Sequence, residues 1–224
     1  MNAFFLFSLA FILNLTVQSQ VQIGLLAGPQ TTTARYSIQS IKQSTNNKYS
    51  FQLGLNCKVP FDNNLFFAPQ IFYSLKGYKA TFTQYAYPPD ATATDNNTTI
   101  HTLELAALLE VDFSKKPGHL FFRVGPSLDF QLFGREKFHL LNGEYISRQM
   151  KYGFTEYGHY AANAIVQLGY ENARGFTFYL HYGFGLTNIS NVDEGPNIRH
   201  RVIGISFGQY FHRKKTPVDS RSKQ

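Results

Sequence analysis

Residues His119–Phe133 read HLFFRVGPSLDFQLF. One alternate set is Leu120, Phe122, Val124, Pro126, Leu128, Phe130 and Leu132. The other is His119, Phe121, Arg123, Gly125, Ser127, Asp129 and Gln131. A β-strand sends neighbouring side chains to opposite faces, so the stretch has one apolar face and one mostly polar face. In a soluble sheet the apolar face would be the inside. Here the polar set carries Arg123 and Asp129 while the apolar set is unbroken. That combination suits a wall with lipid outside and a narrow, ion-paired interior.

The same alternation recurs on both sides of this stretch. It predicts strands over Val21–Gly28, Lys48–Val59, Leu65–Phe82 and Thr99–Phe113 before it, and over Glu156–Tyr170, Phe176–Ile189 and Ile198–Phe211 after it. Most of these strands exceed the roughly ten residues that a tilted strand needs to cross a bilayer. The connections alternate in length. Polar loops are expected over Pro29–Asn47, Gln84–Thr98, Arg135–Thr155 and Ser190–Asn197, with short turns between the other pairs. Keeping all long loops on one rim is the habit of an outer-membrane barrel, with turns on the periplasmic side. Pro69 cannot donate to a ladder, so a bulge or an unpaired amide is expected there.

Composition bounds the rest. The chain has 224 residues, 16% charged and 16% aromatic, with no Trp, so any interfacial ring belt must be Tyr and Phe. Mean hydropathy is -0.23. Alternation averages hydropathy away, so this value does not exclude a membrane barrel. Residues 1–19 read as a secretory signal built on the apolar run Ala3–Val17. The barrel is assigned to 20–212 and a basic, disordered tail to 213–224. The net charge of +7 is partly in that tail. No folded basic face with interleaved stacking aromatics accompanies it, so no nucleic-acid partner is expected. The single cysteine, Cys57, precludes an internal disulfide and a thiolate cluster.

Eight strands enclose a bore that side chains fill, or that holds one small ligand. The inward parity collects Lys58, Lys76, Glu104, Glu110, Asp112, Arg123 and Asp129. Buried charges need partners, so these seven are expected to form a structural charge network across the lumen rather than to line a conducting pore. Gly204-Ile205-Ser206-Phe207-Gly208 has the G-x-S-x-G spacing, yet it lies mid-strand and lacks the strand–turn–helix setting of a nucleophile elbow. His159, His181 and His200 are all expected inward, at a spacing that matches no metal-ligand motif. No catalytic residue, metal or cofactor is assigned.

Several pieces carry a resemblance: Gly24-Leu25-Leu26-Ala27-Gly28, the run Pro69–Gly77, Leu103-Glu104-Leu105, Val124-Gly125-Pro126-Ser127, and the closing Asn197–Phe211. Over nearly the whole mature chain it resembles the small outer-membrane β-barrel proteins of Bacteroidetes-type bacteria, the porin-like group that includes PorT. The resemblance implies fold and location and little about activity. The expected protein is therefore an all-β, eight-stranded antiparallel transmembrane barrel in a bacterial outer membrane, with both mature termini periplasmic. Its expected partners are outer-membrane lipid, the barrel insertion machinery, and an envelope protein reached through the loops. A structural, adhesive or surface-binding role without an open pore comes first. The alternatives are a non-enzymatic subunit of a secretion or transport complex, and a soluble periplasmic calycin-like cup for a small apolar ligand.

Overall fold

The computed structural model describes residues 21–211. The signal read over residues 1–19 and the basic tail read over 213–224 lie outside them. The strands are β1 (Gln22–Ile38), β2 (Ile41–Lys42), β3 (Ser44–Asn46), β4 (Lys48–Asp62), β5 (Leu65–Thr81), β6 (Asp95–Asp112), β7 (His119–His139), β8 (Tyr145–Gln149), β9 (Tyr160–Glu171), β10 (Phe176–Gly185) and β11 (Asn197–Tyr210). Eight of them form the wall in the order β1-β4-β5-β6-β7-β9-β10-β11, each antiparallel to the next. The wall closes where β11 pairs with β1, from Gly24 opposite Tyr210 to Ser37 opposite Asn197. Closure leaves no free sheet edge, so the backbone amides are satisfied without water. The short β2, β3 and β8 extend the wall on the long-loop side.

The register places the two sets of the opening stretch on opposite sides of the wall. Leu128 and Phe178 are 39% and 40% exposed on the outside, whereas Arg123 and Asp129 are 0% exposed within. A soluble cup needs the reverse, so the calycin alternative is removed. The turns at one end are tight. Asn63 takes a positive φ of 40° between β4 and β5, a conformation asparagine tolerates, and Gly175 takes φ 80° before β10.

The other end differs from the expectation. Of the four segments read as polar loops, the first is largely strand and the next two are partly so. β1 runs to Ile38 rather than ending at Gly28, β6 begins at Asp95, and β7 continues to His139 and folds back through β8. Strands of 17 to 21 residues are far longer than a bilayer crossing requires. The alternation persists in these extensions with its polarity inverted. In β1, Thr31, Thr33 and Arg35 face outward, while Ala34, Tyr36 and Ile38 are buried inside. β5 changes in the same way, from outward Ile71, Tyr73 and Leu75 to outward Lys79 with Tyr78 and Ala80 buried. In β7 a bulge accompanies the change. His101 pairs with Phe133 but Thr102 pairs with Gln131, so Leu132 is extra. Leu132 and Phe133 therefore both face out, and Glu136 and Phe138 turn inward beyond them.

Pro69 causes no bulge. Pairing with β4 stops at Asn56–Gln70 and resumes at Val59–Phe67 in the same register. Pro126 opens a similar gap between β6 and β7, from Ala106–Ser127 to Leu109–Val124. Each proline thus interrupts the ladder on one side without displacing a side chain from its face.

Candidate functional site

The interior is layered, and the layers follow from the inward parity of each strand. Nearest the short turns lies the first ionic layer. Lys58 Nζ on β4 contacts Glu110 Oε1 at 2.7 Å, Asp112 Oδ2 at 2.7 Å and Glu171 Oε2 at 3.1 Å. Arg123 on β7 donates from Nε to Glu110 Oε2 at 2.5 Å, from Nη1 to Gln167 Oε1 at 3.3 Å and from Nη2 to Tyr210 Oη at 3.0 Å. Its guanidinium lies 4.1 Å over the Phe121 ring. Gly169 makes this stack fit, because a Cβ there would stand 2.6 Å from the Phe121 ring. His119 Nε2 is 3.0 Å from Asp112 Oδ2.

An apolar layer follows, with Leu26, Ala68, Phe72, Ala106, Leu108 and Ile165 packed together. Beyond it is a second ionic layer. Lys76 Nζ on β5 meets Glu104 Oε2 at 2.7 Å and Asp129 Oδ2 at 2.8 Å, and Ser127 donates to Glu104 Oε1 at 2.5 Å. Beside it is a cavity of about 20 Å³, bordered by Gln30, Asn163, His181 and His200. That is room for about one water molecule.

All seven charges singled out in the sequence are thus buried and contact opposite charge, in two groups. Lys58, Glu110, Asp112 and Arg123 make one, and Lys76, Glu104 and Asp129 the other. Two members were missed. Glu171 was read as part of a turn, although it keeps the inward parity of Asn163 and Gln167 and ends β9. His119 was placed inward but not tied to the network. The first group ties β4 to β6, β7 and β9 across the bore, whereas the second links the neighbouring strands β5, β6 and β7.

The remaining motif residues scatter. Ser206 is buried in the middle of β11, accepts from Gln52 Nε2 at 2.9 Å and lies 3.3 Å from His181 Nδ1. A Cβ on Gly204 would meet Gln30 Cβ at 2.6 Å, so this glycine serves close packing between the side chains of its two neighbouring strands. His159 is exposed at the lip of the wall, stacked on Tyr152 at 4.7 Å, contrary to the inward expectation. It precedes β9, outside the strand whose parity was applied to it. Among the described residues no group of three or more His, Cys, Asp or Glu side chains is placed to hold a metal.

Above the second ionic layer the interior becomes an apolar core. Tyr36, Ile38, Tyr78, Phe82, Ile100, Phe138, Met150, Tyr157 and Ile189 pack there, drawn from the wall extensions and from the long connections after β5, β7 and β10. Sequence reading missed this cap because it sought apolar residues on the outer face only. Glu136 holds the cap's polar seam, outside the membrane-spanning part of the wall. It accepts from Arg148 Nε at 2.6 Å and from Tyr157 Oη at 3.0 Å, and Arg148 also donates to the Pro89 carbonyl. Burial raises the Glu136 carboxyl above its ordinary range, and Arg148 only partly offsets this. A raised carboxyl contributes stability below its unfolded pKa, and the contribution is lost as pH climbs through the raised value.

Glu136→Ala strands the Tyr157 hydroxyl and the Arg148 guanidinium, at a cost of about 1–3 kcal/mol to the cap. Trypsin should then cut at Arg148 or Lys151 at least tenfold faster under native conditions. Glu136→Gln keeps an acceptor for Tyr157. It should retain most of the protection and lose the part that weakens with rising pH.

A sequence-family profile described as "Outer membrane protein beta-barrel domain" matches residues 16–191. No curated protein matches the chain. Among solved structures, it is similar to Ail, the attachment invasion locus protein of Yersinia pestis, at 13% identity and TM-score 0.43, covering 86% of this chain and 99% of that one. OprG from Pseudomonas aeruginosa matches at 11% identity and TM-score 0.43, with 87% and 98% covered. Neisserial surface protein A matches at 11% identity and TM-score 0.41, with 84% and 97% covered.

Proposed function

This chain belongs to the outer membrane protein beta-barrel domain family, and from that premise we propose that it is a closed, non-enzymatic barrel whose long-loop end serves as an adhesive or surface-binding platform. The long loops face the cell exterior and both mature termini face the periplasm. The observation that carries this reading is the apolar cap over two ion-paired layers. Tyr36, Tyr78, Phe138 and Tyr157 fill the bore where a channel would need water, and a bore of eight strands is already narrow. A cap that only sealed the barrel could be a short loop. This one is a folded rim that presents exposed apolar side chains. Phe154 is 96% exposed, and Leu141, Tyr145 and Ile41 are also exposed at that end.

The test is conductance. The purified protein in a planar bilayer should give no resolvable single-channel steps at neutral pH, while binding to envelope components or host surfaces depends on the loops. Regular steps from the wild-type protein would overturn the closed reading. The same loop residues would also serve a barrel subunit of a secretion or transport complex of PorT type. Stoichiometric co-purification of envelope proteins from a detergent extract of intact cells would favour that reading over the free-standing platform.

A further inference from the structure

The outer face of the wall changes in three steps along the strands β5, β6 and β7. First comes apolar surface, at Ile71, Leu105 and Leu128. Next comes an aromatic level, where Tyr73 lies 2.5 Å from His101 Nδ1 and His101 stacks on Phe133 at 4.2 Å. Beyond it the outward residues become basic. Asn97 of β6 stands opposite Lys79 on one side and Lys137 on the other. Two ladder spacings put those two lysine backbones about 10 Å apart. Lys48 reaches the same point from β4. Its stem crosses the outer face of Gly77, with Cδ 3.3 Å from where a Cβ would stand, so any larger residue there would displace it. Its ammonium donates to Asn97 Oδ1 at 2.8 Å, the Thr98 carbonyl at 2.8 Å and Thr99 Oγ1 at 2.5 Å.

One ammonium is therefore held on a neutral amide whose two ladder neighbours are both lysines. Among the described residues none of the three makes an ion pair. The carboxylate next along β6, Asp95, is already held by His139, with Oδ1 on the backbone amide and Oδ2 2.9 Å from Nδ1. Burial, followed by the charges of Lys79 and Lys137, lowers the Lys48 ammonium to about 8. Like charges brought together on a sheet face destabilise it unless something offsets them. The same height on the opposite seam repeats the pattern, with Arg35 directly opposite Arg199.

We infer that the outer wall at Lys48, Lys79 and Lys137 is a seat for the phosphate of a membrane glycolipid headgroup, in the leaflet facing the long loops. The inference rests on the orientation proposed above. Its chemistry is that of two exposed donors, Lys79 and Lys137, around an anion with several acceptor oxygens, while Lys48, whose three N–H bonds are already given to the wall, adds its charge beneath them. Position selects a lipid over a soluble polyanion. The lysines lie on the side wall, a few residues beyond the aromatic level where headgroups begin, and not on the loop tips.

The probe is a bisphosphorylated glycolipid of the lipid A class, presented to the full-length protein in neutral detergent and read by native mass spectrometry. The wild-type protein should retain one lipid or more. Removing the phosphates from the same glycolipid should lower occupancy at least tenfold. K48Q/K79Q/K137Q should lower it at least fivefold. K42Q/K151Q/R174Q, with the same change in charge at exposed sites elsewhere, should leave it unchanged. If the triple variant does not fold, K79Q and K137Q alone, at exposed positions, should each lower occupancy about twofold, which is a few tenths of the tenfold energy.

Equal binding of the dephosphorylated glycolipid, or full binding by the lysine variants, would overturn the inference. So would displacement by millimolar inorganic phosphate as effective as that by lipid, which assigns a free-anion site. Lysine-dependent binding of a heparin-like sulfated chain without glycolipid binding would assign the surface to a soluble polyanion instead. An epitope inserted between Asn142 and Gly143 separates the two readings. If it is inaccessible on intact cells, the orientation fails even where lysine-dependent lipid binding stands.

Discussion

Arg123→Ala should lower the free energy of unfolding by about 3–5 kcal/mol, the range for removing one partner of a buried ion pair. The size follows from what is left behind. Glu110 loses its 2.5 Å partner and keeps only Lys58, which is already shared with Asp112 and Glu171. Tyr210 Oη and Gln167 Oε1 lose donors in the same step, and Phe121 loses the plane stacked on it. Urea titration in lipid vesicles, read by the shift between folded and unfolded bands on an unboiled gel, gives the number directly. The double variant Glu110→Leu with Arg123→Met removes both charges and fills the space. It should recover at least half of the loss, because a buried pair mostly offsets its own desolvation. A loss under about 1 kcal/mol for the single variant would mean that water reaches the layer and the bore is not filled there.

The lower half of the wall was legible because its two solvents differ. Lipid outside and ion pairs inside write Leu128 and Asp129 into adjacent positions of one strand, and parity alone separates them. The closed antiparallel order followed from eight such strands with alternating connection lengths. The upper half carries the same period with the opposite sense. In Thr31-Thr32-Thr33-Ala34-Arg35-Tyr36-Ser37-Ile38 the apolar residues sit on the inward parity, as in any water-soluble sheet. Read for an outward apolar face, the segment looked like a loop. The signal that the wall continues was therefore present. What marks the change of surroundings is the residue type on the outward parity, from Leu25 and Ala27 to Thr31, Thr33 and Arg35. The bulge at Leu132 was not legible, since two successive outward apolar residues fit either a bulge or a strand end. The charge clusters were legible as a set but not as two groups. Grouping depends on how far each strand is staggered against its neighbours, and that shear is not visible in one strand's alternation. Lys48 escaped for a related reason. It begins the strand on the parity of Ser50 and Gln52, whereas its side chain crosses Gly77 on the outer face to reach Asn97.

Leu105→Arg is the second large effect, and it separates lipid from water on the outer wall. Leu105 is 41% exposed and lies in a row of outward residues that runs across strands, with Ile71 opposite it on β5 and Leu128 opposite it on β7. Around these positions the neighbours are also apolar, so an arginine has no carboxylate to meet. In a bilayer an arginine at such a depth costs about 2–4 kcal/mol, and near the interface about 0–1 kcal/mol. Thr33→Arg, on the outward parity of the upper half of β1, should therefore leave the vesicle unfolding midpoint nearly unchanged, while Leu105→Arg lowers it clearly. The contrast depends on height alone, because both side chains point away from the bore and neither touches an ionic layer. If water covered the whole outer wall, replacing an exposed leucine by arginine would be neutral and would improve solubility. Equal tolerance of the two substitutions would therefore remove the lipid belt, and with it the reason for the chain to hold its charges inside.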